Sequence, residues 1–161
     1  MLQTVEEIIS TLALEPHVEG GYFKRTYTSS IELATKEGVR QTLSSIYYLL
    51  SAQARIGHWH KNRSDIMHYF HAGSALTYYL ISPEGELTTS ILSNDLTVGQ
   101  PQLLVPGGYW KATVLEQGQY GLLSEAVTPS FDFEDMDLAC AEELSALFPQ
   151  HHALIQRLSL S

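Results

Sequence analysis

Cysteine is nearly absent from this chain. Cys140 stands alone, so no disulfide within the chain and no thiolate-rich zinc cluster can form, which suits a reducing compartment. Basic side chains are scarce as well. Nine Lys and Arg face eighteen Asp and Glu, for a net charge of -9, and that balance lacks the basic footprint that phosphate binding on nucleic acid requires. No apolar run approaches the ~20 residues of a membrane-spanning helix. The N-terminus has no basic stretch leading into an apolar core, so no signal peptide is read there. Neither a Gly-x-Ser-x-Gly elbow, a Gly-Lys-Ser/Thr phosphate loop nor a Gly-x-Gly-x-x-Gly turn occurs. These absences predict a cytoplasmic protein with no nucleic-acid and no membrane partner.

What remains is an ordinary globular composition. With 161 residues, 44% of them hydrophobic, the chain is long enough for one domain with a proper core. Thr4-Val5-Glu6-Glu7 has capping-box spacing before an apolar stripe of Ile8, Ile9 and Leu12, which predicts a short N-terminal helix ending before Pro16. The paired glycines of Glu19-Gly20-Gly21-Tyr22-Phe23 mark a tight position before a strand through about Tyr27, and residues 30–38 read as a loop. Strands are predicted over 42–50, 75–81, 87–92, 102–105, 109–115 and 120–128, separated by turn residues such as Pro106-Gly107-Gly108. Residues 138–147 and 153–158 carry helical spacing, with Pro149 at the start of the final helix. Many short strands with helices only at the ends predict a single all-β domain, a sandwich or barrel, with its core at about 18–138 and C-terminal helices over 138–158.

The chemistry concentrates between Gly57 and Gly73, where four of the seven histidines lie among aromatics. Strand alternation predicts that His58, His60 and Asn62 share a face, and that the turn-prone Asn62–Asp65 segment brings His68 back alongside the same strand. Lys111 and Glu125 each sit in a largely apolar strand. Such a charge either faces solvent, pairs across strands, or lines a pocket with a partner. His71 falls on the face opposite His68, His17 reads as a loop residue, His151 and His152 as solvated, and Cys140 as a packed helical residue.

Five motifs occur in order: Glu19-Gly20-Gly21-Tyr22-Phe23, Ile46-Tyr47-Tyr48-Leu49-Leu50, His60-x-Asn62-x-Ser64-x-x-x-His68, Val105-Pro106-Gly107-Gly108 and Phe131-Asp132-Phe133-Glu134-Asp135. Together they resemble the cupin_5 family, a domain of unknown function (DUF985), over roughly residues 2–138. The resemblance implies a cupin double-stranded β-helix, or jelly roll, like that of dTDP-4-dehydrorhamnose 3,5-epimerase, assembled as a homodimer around a small-molecule pocket. It implies no established reaction. One departure is Ser130, where the family has glycine; serine fits if the backbone keeps φ negative.

Many cupins hold a metal with His-x-His, a Glu three or four residues on, and a later His. Here His58 and His60 supply the pair and Asp65 the carboxylate, but the later position is Lys111, an ammonium with no lone pair. The expectation is therefore no cofactor and no metal. The leading reading is a metal-independent isomerase or epimerase acting on a small polar or carbohydrate-like molecule. His68 would be the base, Lys111 would stabilise an anion and Glu125 would orient, with His60, Asn62, Tyr22 and Tyr47 binding substrate. One alternative is a metal-dependent, oxygenase-like enzyme using His58, His60 and Asp65. The other is a non-catalytic ligand-binding module.

Overall fold

A reciprocal capping box starts the chain's first element. In the computed structural model, which describes residues 3–161, α1 (Val5–Thr11) opens at Thr4. The Thr4 side chain accepts from the Glu7 amide, and the Glu7 carboxylate accepts from the Thr4 amide. Thirteen strands follow among the described residues: β1 (Glu15–Pro16), β2 (Tyr22–Thr28), β3 (Glu32–Thr35), β4 (Gly38–Gln41), β5 (Ser44–Ser51), β6 (Ile56–Asn62), β7 (Asp65–Gly73), β8 (Leu76–Ile81), β9 (Leu87–Leu92), β10 (Gln102–Val105), β11 (Trp110–Val114), β12 (Tyr120–Thr128) and β13 (Met136–Leu138). The chain closes with α2 (Ala141–Leu147) and α3 (His152–Leu158). No described helix is long and apolar enough to cross a membrane.

Two antiparallel sheets face each other. One runs β1-β2-β5-β12-β7-β10 and the other β13-β6-β11-β8-β9, with β3-β4 as a separate hairpin. Strand alternation sorts side chains into three layers. Tyr48, Leu50, Phe70, Leu76, Tyr78, Leu80 and Leu123 fill the space between the sheets toward one end. On the outside of the six-stranded sheet, Ile8 of α1 and Leu14 cover Leu49, with Tyr22, Tyr47 and Leu122 packed around them. On the outside of the five-stranded sheet, Leu144, Ile155 and Leu158 of the C-terminal helices cover Trp59, Ala112 and Val114.

Several expectations need correction. β6 and β7 are consecutive but do not pair; the chain changes sheets at Asn62–Asp65, so His68 lies across the barrel from β6 rather than beside it. The Pro106-Gly107-Gly108 turn holds this corner: the Gly107 amide donates to Asp65 Oδ1 at 2.8 Å and the Gly108 amide to the Asn62 carbonyl at 2.8 Å. The predicted loop at 30–38 contains most of the β3-β4 hairpin. With both faces largely exposed, nothing selects for apolar alternation there. Leu138, expected to open a helix, instead ends the edge strand Met136–Leu138 on β6. Cys140 is exposed at the N-cap of α2 instead of packed. His151 is half-buried, with Nε2 2.8 Å from the Gly85 carbonyl oxygen. Ser130 satisfies its condition, since Ala13 is the one described non-glycine at positive φ.

Candidate functional site

A bulge in β6 decides which histidine enters the barrel. Lys111 pairs with His60 and Thr113 pairs with Gly57, so two steps along β11 are matched by three along β6. Gly57 and His60 therefore both face inward, while His58 and Trp59 turn out beneath the C-terminal helices. His58 Nδ1 lies 3.1 Å from the Leu158 carbonyl oxygen, and Trp59 Nε1 donates to the Leu154 carbonyl at 3.4 Å. Gly57 has no room for a side chain, because a β carbon there would stand 2.8 Å from the Tyr48 hydroxyl. Plain alternation put His58 and His60 on one face; the extra residue separates them.

His60 meets a carboxylate that the sequence reading had left without a role. Its Nε2 is 2.9 Å from Glu19 Oε2, and both side chains are buried. Glu19 arrives because Gly20 and Gly21 both adopt positive φ and press the loop onto β6. A β carbon on Gly20 would overlap the Ile56 carbonyl oxygen, and the His58 amide donates to the Glu19 carbonyl at 2.6 Å. His60 Nδ1 donates to the His58 carbonyl at 2.7 Å, so the Nε2–Glu19 contact shares one proton between ring and carboxylate. Burial pushes the Glu19 carboxyl up, but attraction to His60, their hydrogen bond and the more distant Lys111 outweigh it and hold the group below the usual carboxylate range. His17 Nδ1 accepts from the Glu19 amide at 3.1 Å, so its ring proton sits on Nε2. Its 3.7 Å approach to the Glu19 carboxylate is accordingly not an ion pair. Burial, foremost, keeps His17 below its ordinary value.

A second cluster crosses between the sheets. Lys111 on β11 and Glu125 on β12 both point inward, with Nζ 3.5 Å from Oε1. His68 on β7 completes it, its Nε2 2.9 Å from Lys111 Nζ and 3.5 Å from Glu125 Oε1. The His68 Nδ1 donates to the Leu103 carbonyl at 3.0 Å, so in the neutral ring Nε2 is the acceptor and Lys111 the donor. Burial and the Lys111 charge hold His68 below its ordinary value, as this arrangement requires. Burial pushes Glu125 up, yet the Lys111 charge overcomes it and holds the carboxyl far below the usual range. Tyr48 and Tyr78, their hydroxyls pushed well up by burial and the nearby carboxylates, stay neutral.

Above these groups lies a cavity of about 360 Å³. Glu19, His60, His17 and Glu125 reach it, Phe23, Ile46, Ile66 and Val127 form apolar walls, and Arg25, Asn62, Asp132, Phe131 and Phe133 surround the mouth. The loop that carries Phe131 and Phe133 is tied down by Asp135, which Arg40 grips through two hydrogen bonds of 2.8 and 3.0 Å. Of the residues expected at the site, His60, Asn62 and Glu125 line the cavity. Lys111 and His68 lie beneath it, with Lys111 supporting Glu125. Tyr22 and Tyr47 do not reach it; they face outward under α1. His71 also faces outward, its Nε2 2.6 Å from the Ser124 hydroxyl. Glu19, His17 and Arg25 were missed. The visible signal for Glu19 was a carboxylate directly before a Gly-Gly pair that forces close backbone approach.

The His58–His60–Asp65 metal set is not assembled. His58 faces the C-terminal helix, and Asp65 is spent on the Gly107 amide at the barrel corner. His60 and His68 point their Nε2 atoms at Glu19 and at an ammonium, and that resident positive charge opposes a divalent ion between them. No group of three or more His, Cys, Asp or Glu among the described residues has a metal-holding arrangement. The interior does not fit a metal.

Two facing antiparallel sheets with a polar site inside one end define a cupin-fold protein. The chain belongs to the Cupin superfamily (DUF985) family, whose pattern matches residues 6–139. It is 36% identical over 148 residues to the uncharacterized protein YML079W of Saccharomyces cerevisiae, covering 82% of this chain and 73% of that one. Protein SO0799 from Shewanella oneidensis superimposes with a TM-score of 0.91 at 43% identity, over 99% of both chains. A protein from Leishmania major gives 0.92 at 28% identity, over 99% of this chain and 100% of its own. A mutant of Bacillus subtilis oxalate decarboxylase aligns at a TM-score of 0.55 and 16% identity, over 93% of this chain and 38% of that one, which is a likeness of fold alone.

Proposed function

We propose that the barrel binds a small polar molecule and moves a proton on it, as an isomerase or epimerase acting beside a carbonyl. The observation that carries this reading is the 2.9 Å contact between His60 Nε2 and Glu19 Oε2 at the edge of the cavity. A histidine and a carboxylate that share one proton within hydrogen-bond distance form a pair that can pass a proton to and from a bound molecule. Glu125 is unsuited to that work. A carboxylate held so far below its usual range is a poor base, so it accepts hydrogen bonds from ligand hydroxyls while Lys111 and His68 position it.

In the reaction, a proton leaves the carbon beside the carbonyl for the His60–Glu19 pair. The C–H electron pair becomes the enolate double bond with its charge on oxygen, and the Nε2–H of the cavity-lining His17 donates to that oxygen. The proton then returns to carbon on the other face or to the neighbouring carbon. The test incubates the protein in D₂O with a panel of aldoses and ketoses, followed by NMR and mass spectrometry. The expected result is deuterium at a carbon next to the carbonyl, with Glu19→Gln slowing exchange by about 10²-fold or more. Binding in the cavity without exchange in any panel member would instead identify a non-catalytic binding module.

A further inference from the structure

We infer that the ligand of this cavity carries an anionic group, a carboxylate or a phosphate, which Arg25 holds at the mouth while the uncharged polar body reaches His60 and Glu125. The inference rests on the cavity being the ligand site and adds the ligand's charge and orientation.

Among the described residues, Arg25 is the one Lys or Arg side chain that lines the cavity. In a chain with twice as many acids as bases, most other arginines are claimed. Arg40 and Arg63 contact Asp135, and Arg157 contacts Glu116. Arg25 has no carboxylate within 4 Å among the described residues. It is nonetheless held in place: one Nη donates to the Phe131 carbonyl at 3.0 Å, and the guanidinium lies 5.9 Å from the Phe131 ring centroid. One of its five N–H groups is used on that carbonyl, and the planar fork suits a bidentate oxyanion.

The acids near the cavity do not cancel this charge. Glu19 and Glu125 already have His60 and Lys111. Asp132 accepts from the Glu134 amide at 2.9 Å and lies 3.8 Å from Arg40. The polarity therefore runs from a guanidinium with no carboxylate partner at the rim to charge-paired carboxylates, with lone pairs left to accept from hydroxyls, at the floor. A molecule with an anionic head and hydroxyl-bearing body matches it; a neutral sugar would leave Arg25 unused.

The experiment titrates the full chain with inorganic phosphate, glucose, glucose 6-phosphate and glucuronate. NMR reads the Arg25 Nε–H and the His17 and His60 rings. The expected result is that anions shift the Arg25 resonance and that at least one charged sugar binds about tenfold more tightly than glucose. Arg25→Gln should erase that preference and Arg25→Lys retain part of it. Glucose 6-phosphate alone showing the preference names phosphate, and glucuronate alone names carboxylate. Anions that leave Arg25 unshifted, glucose binding as tightly as the charged sugars, or a preference that survives Arg25→Gln would each overturn the inference. Failure of the proton-transfer reading is seen separately, as Glu19→Gln leaving deuterium exchange unchanged.

Discussion

Replacing Lys111 by Met retains an apolar side chain of similar length and removes the ammonium. In the native protein that ammonium sits 2.9 Å from His68 Nε2 and 3.5 Å from Glu125 Oε1, with Lys111 3% and Glu125 6% exposed. Without it, Glu125 keeps its burial and loses its strongest attraction. Removing one partner of a buried ion pair costs about 3–5 kcal/mol. His68 offers partial relief, because its Nε2, released from Lys111, can take a proton 3.5 Å from the carboxylate. The folded variant would then hold a proton that the unfolded chain lacks above His68's ordinary value of 6.5. Its stability must therefore rise as pH falls from 8 toward 6.5, by up to about 1.4 kcal/mol per pH unit. Urea unfolding followed by tryptophan fluorescence should show a loss of about 3–5 kcal/mol at pH 8 that narrows toward pH 6.5. Adding Glu125→Gln to Lys111→Met should recover most of it, since no buried charge is then left unpaired. A loss under about 1 kcal/mol at pH 8, or one independent of pH, would refute the assignment of Lys111 as the counter-charge to Glu125.

Two further outcomes follow from the same geometry. Acid should destabilise the native protein in two windows. His17 and His68 are held below their ordinary 6.5, so the unfolded chain binds protons first and stability falls below that pH; Glu19 and Glu125, held below their ordinary 4.5, add a second loss below 4.5. Denaturant midpoints that stay level from pH 6.5 to 4.5 would contradict the buried neutral histidines. His58→Ala should cost about 1 kcal/mol in thermal unfolding, through the lost Leu158 contact, and leave cavity affinity within about twofold. A tenfold weakening of ligand binding would return His58 to the site.

The all-β architecture was legible in the sequence because its signals are local. The Thr4–Glu7 capping box, the apolar strands and the Gly-Pro turns need no distant partner to be read, and the ordered motifs marked the cupin resemblance. Within the site, strand parity pointed to His60 and Asn62, which the structure places on the cavity, but it left Lys111 and Glu125 open between solvent, a cross-strand pair and a pocket, and only the structure brings them together with His68. The failures share one cause. Facing in a β-barrel depends on counting by twos, and a single extra residue at the β6 bulge sends His58 outward and keeps His60 inward. Tyr22 and Tyr47 were lost to α1, a packing partner that parity alone does not reveal. Which sheet each strand joins is likewise a long-range matter. Tertiary structure alone put His68 opposite β6, set Lys111 between His68 and Glu125, and folded the Glu19 loop onto His60. Local sequence determined that this chain makes strands; the pairing of strands far apart in sequence decided which charges meet inside them.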